Sequence, residues 1–415
     1  MIWGNAAWVA GLMAAAGILM ALAAKPGGCA PASPLPQPEA LLGPMLAIAW
    51  ERGPNLPQGF QDSDGGFLGT HLITVGGFCQ GADDQMKPGR YPRGFLRKAW
   101  AFDTAAVARG WIELPDYPAS GRQGLMAAAV DGALHCWGGF NYTAPFTYAD
   151  GYRLRRRSGA WEWDALPRLP WPLTAGGIAA IGAKIYIFGG ADYAEDFRTD
   201  ADRNGDNPRL GARLLVLDTA DLKAGWRRLS DCPGTPRLGH AMAAVDGKLH
   251  VIGGLASVPG VGYATVVDNW RYDPATDTWQ RIRDLPIASG NFPDGRIVFA
   301  DRYIVLVGGY QYSQVANPDG TYRPPYGTPH KYADEGDYFN DVFVYDTRSD
   351  LFGRADFMPI NNNCPFVVAR DEEIYIIGGE ADAREMDGEY YGHHPDLFLR
   401  GKIATIHGKE RTTPQ

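Results

Sequence analysis

Asp200, Asp202, Asn204 and Asp206 place an oxygen ligand at every second residue, with Gly205 before the last. This alternation matches the opening of a calcium-binding loop. A hard divalent cation takes about six to eight oxygens, and glycine lets the chain turn sharply around it. Gly211 stands where such a loop places its bidentate Glu, so Asp192, Glu195 or Asp196 would complete the shell. The expectation is a structural Ca2+ that orders a long loop, set against an ordinary acidic turn. A second group of residues suits proton transfer and polar-ligand binding. Glu380 precedes Arg384 in one long loop, followed by the adjacent pair His393-His394, and Glu335 lies in another. Arg122, Arg237, Asn291 and Asn362 come from shorter connections, and Tyr310 and Tyr312 add aromatic faces. Carboxylates, Arg, Asn and aromatic planes together suit a sugar or a carboxylated sugar. Glu380 or Glu335 would act as a base where burial tunes its pKa, with Arg122 as the third catalytic candidate.

These residues need a scaffold, and Gly-Gly doublets reveal it. Six short apolar runs end in such a pair, the first glycines being Gly76, Gly138, Gly189, Gly253, Gly308 and Gly378. Repetition at this spacing signals one supersecondary unit used many times. Four of the runs are preceded by a second apolar run across a tight turn: Asp131-Gly132, Gly182-Ala183, Asp246-Gly247 and Asp301-Arg302. Asp-Gly between apolar runs predicts a type I′ hairpin. The runs are nearly continuous rather than alternating, which predicts strands buried on both faces in stacked sheets.

After each doublet comes a loop of variable length, a strand ending near Asp, and an aromatic strand that stops at a Leu-Pro-like pair. Trp100–Asp103 leads to Trp111, and Trp270–Asp273 leads to Trp279 with Leu285-Pro286. Each unit therefore predicts four strands. The paired glycines belong where backbones crowd, and the Trp of the last strand can fill the gap between sheets. The pattern resembles the Kelch repeat of β-propellers over residues 46–407, which implies an all-β, six-bladed Kelch-type propeller. The sixth unit lacks its fourth strand. The segment Leu46–Trp50 followed by Leu56-Pro57 supplies one, so an N-terminal strand is expected to close the last blade.

In a four-stranded blade, the loops after the second strand and the connections between blades open on one face. That face receives most of the length variation and all of the candidate site residues. Residues 1–24 carry no charged side chain and read as an export signal or a retained membrane anchor, followed by a Pro-rich spacer over 25–45. Residues 408–415 read as a C-terminal tail. A periplasmic or extracellular location follows from this reading. The five cysteines form no CxxC pair, which argues against a thiolate metal site. A net charge of −8 without a large basic stripe argues against nucleic acid as a partner.

Among exported Kelch proteins the chain resembles the N-acetylneuraminate epimerase (sialic acid mutarotase) family. The segments that carry the likeness are Gly121-Arg122-Gln123, Lys331–Gly336 through Asn340-Asp341, and Gly378-Gly379-Glu380. The family's proton-accepting Glu follows the fourth doublet, with an Arg a few residues later. Here Leu255 holds that place, and Leu255–Val267 contains neither Glu nor Arg. The expected function is binding of a small polar ligand or carbohydrate at the loop-rich face. The alternatives are a mutarotase or epimerase of sialic-acid-like sugars and a scaffold for a protein partner.

Overall fold

The computed structural model describes residues 41–79, 94–193, 210–258, 262–290, 297–332, 338–381, 384–386, 389–391 and 393–406. The described residues are all-β and contain no α-helix; they form seven four-stranded sheets and two short ladders. Six of the sheets follow the repeat. Sheet 1 runs Asp64–Leu68, His71–Val75, Ala99–Asp103, Trp111–Glu113, and sheet 2 runs Gln123–Val130, Ala133–Phe140, Gly151–Arg157, Ala160–Leu166. Sheets 3 to 5 repeat this antiparallel order, starting from Gly177–Ile181, Ala241–Val245 and Ile297–Phe299. Sheet 6 joins Phe366–Arg370, Glu373–Ile377 and Phe398–Thr405 to the N-terminal strand Leu46–Arg52, in the register Ile48↔Ile403.

The turns follow their residues. Asp131 and Gly132 have φ of 49° and 70°, and Asp246 and Gly247 have 51° and 68°, as a type I′ turn demands. The fourth hairpin differs from expectation. Its left-handed pair is Ala300-Asp301, one residue earlier than the Asp301-Arg302 read from the sequence.

Apolar side chains fill the gaps between neighbouring sheets. Ile73 and Ala101 of sheet 1 pack with Leu125 and Leu134 of sheet 2, and equivalent clusters join each later pair. A sixth cluster joins the two ends of the array, packing Leu72 and Trp100 of sheet 1 against Phe366 and Tyr375 of sheet 6. Fourth-strand indoles add polar links to the preceding repeat. Trp163 donates to the Pro115 carbonyl (2.9 Å), Trp279 to Ser230 (2.8 Å) and Trp111 to Pro54 (3.2 Å).

The doublets explain themselves by close approach. The N–H of the second glycine donates to a carbonyl at the start of the next repeat: Gly77 to Arg122 (2.9 Å), Gly139 to Leu173 (2.9 Å), Gly190 to Arg237 (2.8 Å) and Gly309 to Asn362 (3.0 Å). Gly379 makes the same bond to Phe60, at the start of the first repeat (2.9 Å). At Gly138, with φ of 70°, an added Cβ would lie 2.1 Å from the Leu173 oxygen. Gly138→Ala is therefore expected to cost about 3 kcal/mol or more, through backbone strain and loss of the inter-repeat bond. Urea unfolding of wild type and variant checks this.

The seventh sheet was not foreseen. Leu255–Val258 and Gly262–Val266, from the loop of the fourth repeat, pair with Val315–Ala316 and Tyr322–Arg323, from the loop of the fifth. The joint is parallel, with Thr265↔Val315. These segments read as loops because they follow doublets, yet their apolar, β-branched runs build a small core of Ala256, Val258, Ala264, Val266 and Ala316.

Candidate functional site

Where the doublets end, each repeat places its connection beside its own glycines. The residue after the doublet bridges a residue of that connection: Phe78 with Gln61, Ala191 with Thr174, Leu255 with Leu238, Tyr310 with Gly290 and Glu380 with Asn363. The next residue along the connection turns left-handed. Asp62, Gly124, Ala175, Gly239 and Cys364 have φ between 51° and 61°. Backbone bonds string them together: Asp62 N–H donates to Cys364 O (3.2 Å), Gly124 to Asp62 (3.0 Å), Ala175 to Gly124 (3.1 Å) and Gly239 to Ala175 (2.9 Å). Glycine suits such a position and Asp tolerates it. Asp62 is the one charged residue of these five.

The Asp62 carboxylate accepts hydrogen bonds from Gln61 Nε2 (2.8 Å) and Gln123 Nε2 (3.1 Å), both on Oδ2. Burial penalises its charge, and the negative charge of Glu380 adds to this. The Cys364 thiol and Gln61 amide oppose both, and the net effect pushes its pKa up to about 7. Glu380 shifts the other way. Its side chain is 7% exposed, with Oε1 2.9 Å from His393 Nε2 and Oε2 accepting from Asn363 Nδ2 at 3.1 Å. Burial works against its ionisation. The His393 hydrogen bond, the positive charge of His393 and His394 and the Tyr338 hydroxyl outweigh burial, and hold the carboxyl below its usual range. His393 is oriented by its other nitrogen, since Nδ1 donates to Ala381 O at 3.1 Å.

Aromatic side chains run in a circuit through the same loops. His394 packs edge-on to Phe78 (5.7 Å), Phe78 touches Tyr142 (6.2 Å), and Phe140 links Tyr142 (5.5 Å) to Tyr193 (4.7 Å). The Tyr193 and Tyr263 hydroxyls meet at 3.1 Å. Tyr312, Tyr310 and Tyr338 continue the path, which returns through His393 to His394. Burial raises the hydroxyl pKa of Tyr193 and Tyr312. The charge of Asp62 adds to the rise at Tyr193 and that of Glu380 at Tyr312, which places both carboxylates beside this collar.

The structure thus gathers Glu380, His393, Tyr310 and Tyr312, four of the residues expected from sequence. It places three others elsewhere. Arg122 is buried against Asp150 (2.8 Å) and donates to the Gly138 carbonyl (2.9 Å). Arg237 pairs with Asp268 (2.6 Å) and donates to Gly253 O (3.0 Å), while Asn362 Nδ2 donates to Gly378 O (3.0 Å). All three donate to the carbonyl of the first glycine of their own doublet. Arg237→Ala would strand a buried Asp268 carboxylate and is expected to cost about 3–5 kcal/mol in denaturant unfolding. Arg384 lies in the strand Arg384–Met386, whose side chains are outside the described residues, as are Glu335, Asn291 and the calcium-loop candidates Asp200, Asp202, Asn204 and Asp206. The four described cysteines, Cys79, Cys136, Cys232 and Cys364, are buried.

Sequence reasoning missed Asp62. Aligning Gln61-Asp62 with Gln123-Gly124 and Leu238-Gly239 would have exposed it, as a charge at a position that two other repeats fill with glycine. Leu255, at the place of the resembled family's Glu, is buried among Ala191 and Leu238.

Comparison with known proteins agrees with this architecture. A Kelch motif matches residues 236–286. The chain is 23% identical over 357 residues to N-acetylneuraminate epimerase of Haemophilus influenzae strain 86-028NP, covering 79% of this chain and 88% of that protein. It is 23% identical over 304 residues to the enzyme of the same name from Pasteurella multocida strain Pm70, covering 66% and 77%. The solved structure of YjhT superposes with a TM-score of 0.59 at 15% identity, covering 81% of this chain and 98% of that one, a likeness of fold. The chain carries the Kelch repeat of β-propellers and is similar in sequence to N-acetylneuraminate epimerases.

Proposed function

We propose that this chain is a six-bladed propeller, closed by its N-terminal strand, that interconverts the anomers of a sialic-acid-like sugar. The closed ring is supported by the links from the last repeat to the first: Gly379 to Phe60, Trp111 to Pro54, and the cluster between sheets 6 and 1. The chemistry rests on one observation. Two carboxyl groups in an aromatic collar have pKa values pushed in opposite directions, as an acid and a base would need.

At neutral pH Glu380 is ionised and a large fraction of Asp62 keeps its proton. Glu380 takes the proton of the anomeric hydroxyl, and Asp62 gives its proton to the ring oxygen. The bond from anomeric carbon to ring oxygen breaks, leaving an open-chain carbonyl. Rotation about the adjacent carbon–carbon bond and reclosure on the other face reverse both proton transfers, so each group ends as it began. His393 and His394, when protonated, would suit a sugar that bears a carboxylate. Similarity to enzymes named N-acetylneuraminate epimerase supports the same substrate class.

A second reading, a sugar-binding propeller without turnover, is favoured by Leu255 in place of the family's Glu. Proton NMR of N-acetylneuraminate with and without the full chain separates the two. Exchange between anomer signals faster than the uncatalysed rate supports the enzyme. Line broadening without faster exchange supports the binding protein, and no change in either overturns both.

A further inference from the structure

Glu380, His393 and His394 each bring one ligand atom within 4.8 Å of the others. The His393–Glu380 contact needs a cation between its two atoms. Ala381 O can only accept, so the Nδ1 of His393 must carry a hydrogen. In the neutral ring Nε2 is then a bare lone pair, and it faces the Glu380 carboxylate at 2.9 Å. Two acceptors at that distance require a cation between them, either a proton or a metal ion.

The surroundings suit metal ligation. A histidine whose far nitrogen donates to a backbone carbonyl is fixed in the tautomer that ligates through Nε2. The second Glu380 oxygen is held by Asn363 Nδ2 at 3.1 Å, leaving Oε1 directed at His393. His394 stacks on His393 with ring centres 5.0 Å apart and is steadied by Phe78. Ligand atoms of a tetrahedral zinc ion stand roughly 3.4 Å apart, given bonds of about 2.1 Å. The contact at 2.9 Å and the limit of 4.8 Å bracket that spacing.

We propose that Glu380, His393 and His394 bind one Zn2+ ion, with an open fourth position toward the collar. Two imidazoles and one carboxylate select zinc over calcium or magnesium, which require an all-oxygen shell. The ion displaces the proton held between His393 and Glu380, so binding releases acid. On the acid–base reading of the same site, it also withdraws Glu380 from proton transfer and inhibits anomer exchange.

Calorimetric titration of Zn2+ into the chelator-treated full chain tests the site without reference to turnover. The expected result is one equivalent bound with micromolar or tighter affinity, and at least about tenfold weaker binding in His394→Ala and in His393→Ala. Circular dichroism establishes that both variants fold. A Co2+ titration provides a second readout, the visible absorption of a four-coordinate ion. Absence of binding at one equivalent, or Zn2+ affinity unchanged in both variants, overturns the proposal. Because no sugar is present, that failure leaves the anomer-exchange reading standing.

Discussion

Glu380→Gln is expected to slow catalysed anomer exchange by about 100-fold or more while sugar affinity changes only a few-fold. The amide keeps the shape of the carboxyl and can still bond to Asn363, but it cannot accept the anomeric proton. Loss of a general base lies in the range of 10²- to 10⁴-fold, roughly 3–5 kcal/mol of barrier. On the proposed reading the aromatic collar supplies much of the ground-state binding, and the substitution leaves it in place. Exchange spectroscopy gives the rate, and a titration of line widths gives the affinity. An equal loss of both would instead make Glu380 a binding group.

Asp62→Asn is expected to abolish exchange and yet stabilise the fold at alkaline pH. An ordinary Asp has a pKa near 3.8, and the folded-state value is about 7. Between these values the folded state holds a proton that the unfolded chain has lost. Stability at Asp62 is therefore complete below about pH 3.8 and declines as pH rises through about 7. A shift of that size corresponds to at most about 4 kcal/mol. Neutral Asn tolerates the left-handed backbone, carries no charge to bury and escapes repulsion from Glu380. Thermal melts should show a higher Tm than wild type at about pH 8, with the difference vanishing near pH 4. A lower Tm across that whole range would mean that the Asp62 carboxylate is a structural group.

Those two residues also mark the limit of what the chain discloses by itself. Hairpins at Asp131-Gly132 and Asp246-Gly247 are legible because the turn chemistry is local. The pairing of Leu46–Arg52 with Phe398–Thr405 is legible because the sixth repeat visibly lacks a strand. Glu380, Tyr310 and Tyr312 are legible because they directly follow or lie near a doublet. Arg122 and Arg237 mislead, since an arginine in a connection reads as a ligand until its buried carbonyl and Asp partners are seen. Asp62 is legible only by aligning the connections, and its raised pKa is not legible at all, because it comes from burial and from Glu380, which the fold brings across from the last repeat to the first. The seventh sheet is hidden similarly, because its two hairpins come from different repeats and meet through a parallel joint.

The pH dependence of anomer exchange tests the acid–base pair most directly. The groups facing Asp62 are the Glu380 carboxylate, the Cys364 thiol, the Gln61 and Gln123 amides and the Tyr193 hydroxyl. The proposed mechanism requires protonated Asp62 and ionised Glu380 together. The catalysed rate with N-acetylneuraminate should hold nearly constant around pH 5 to 6, then fall about tenfold per pH unit above about 7 as Asp62 loses its proton. A catalysed rate that stays level or rises between about pH 6 and pH 9 would contradict the pairing of Asp62 with Glu380.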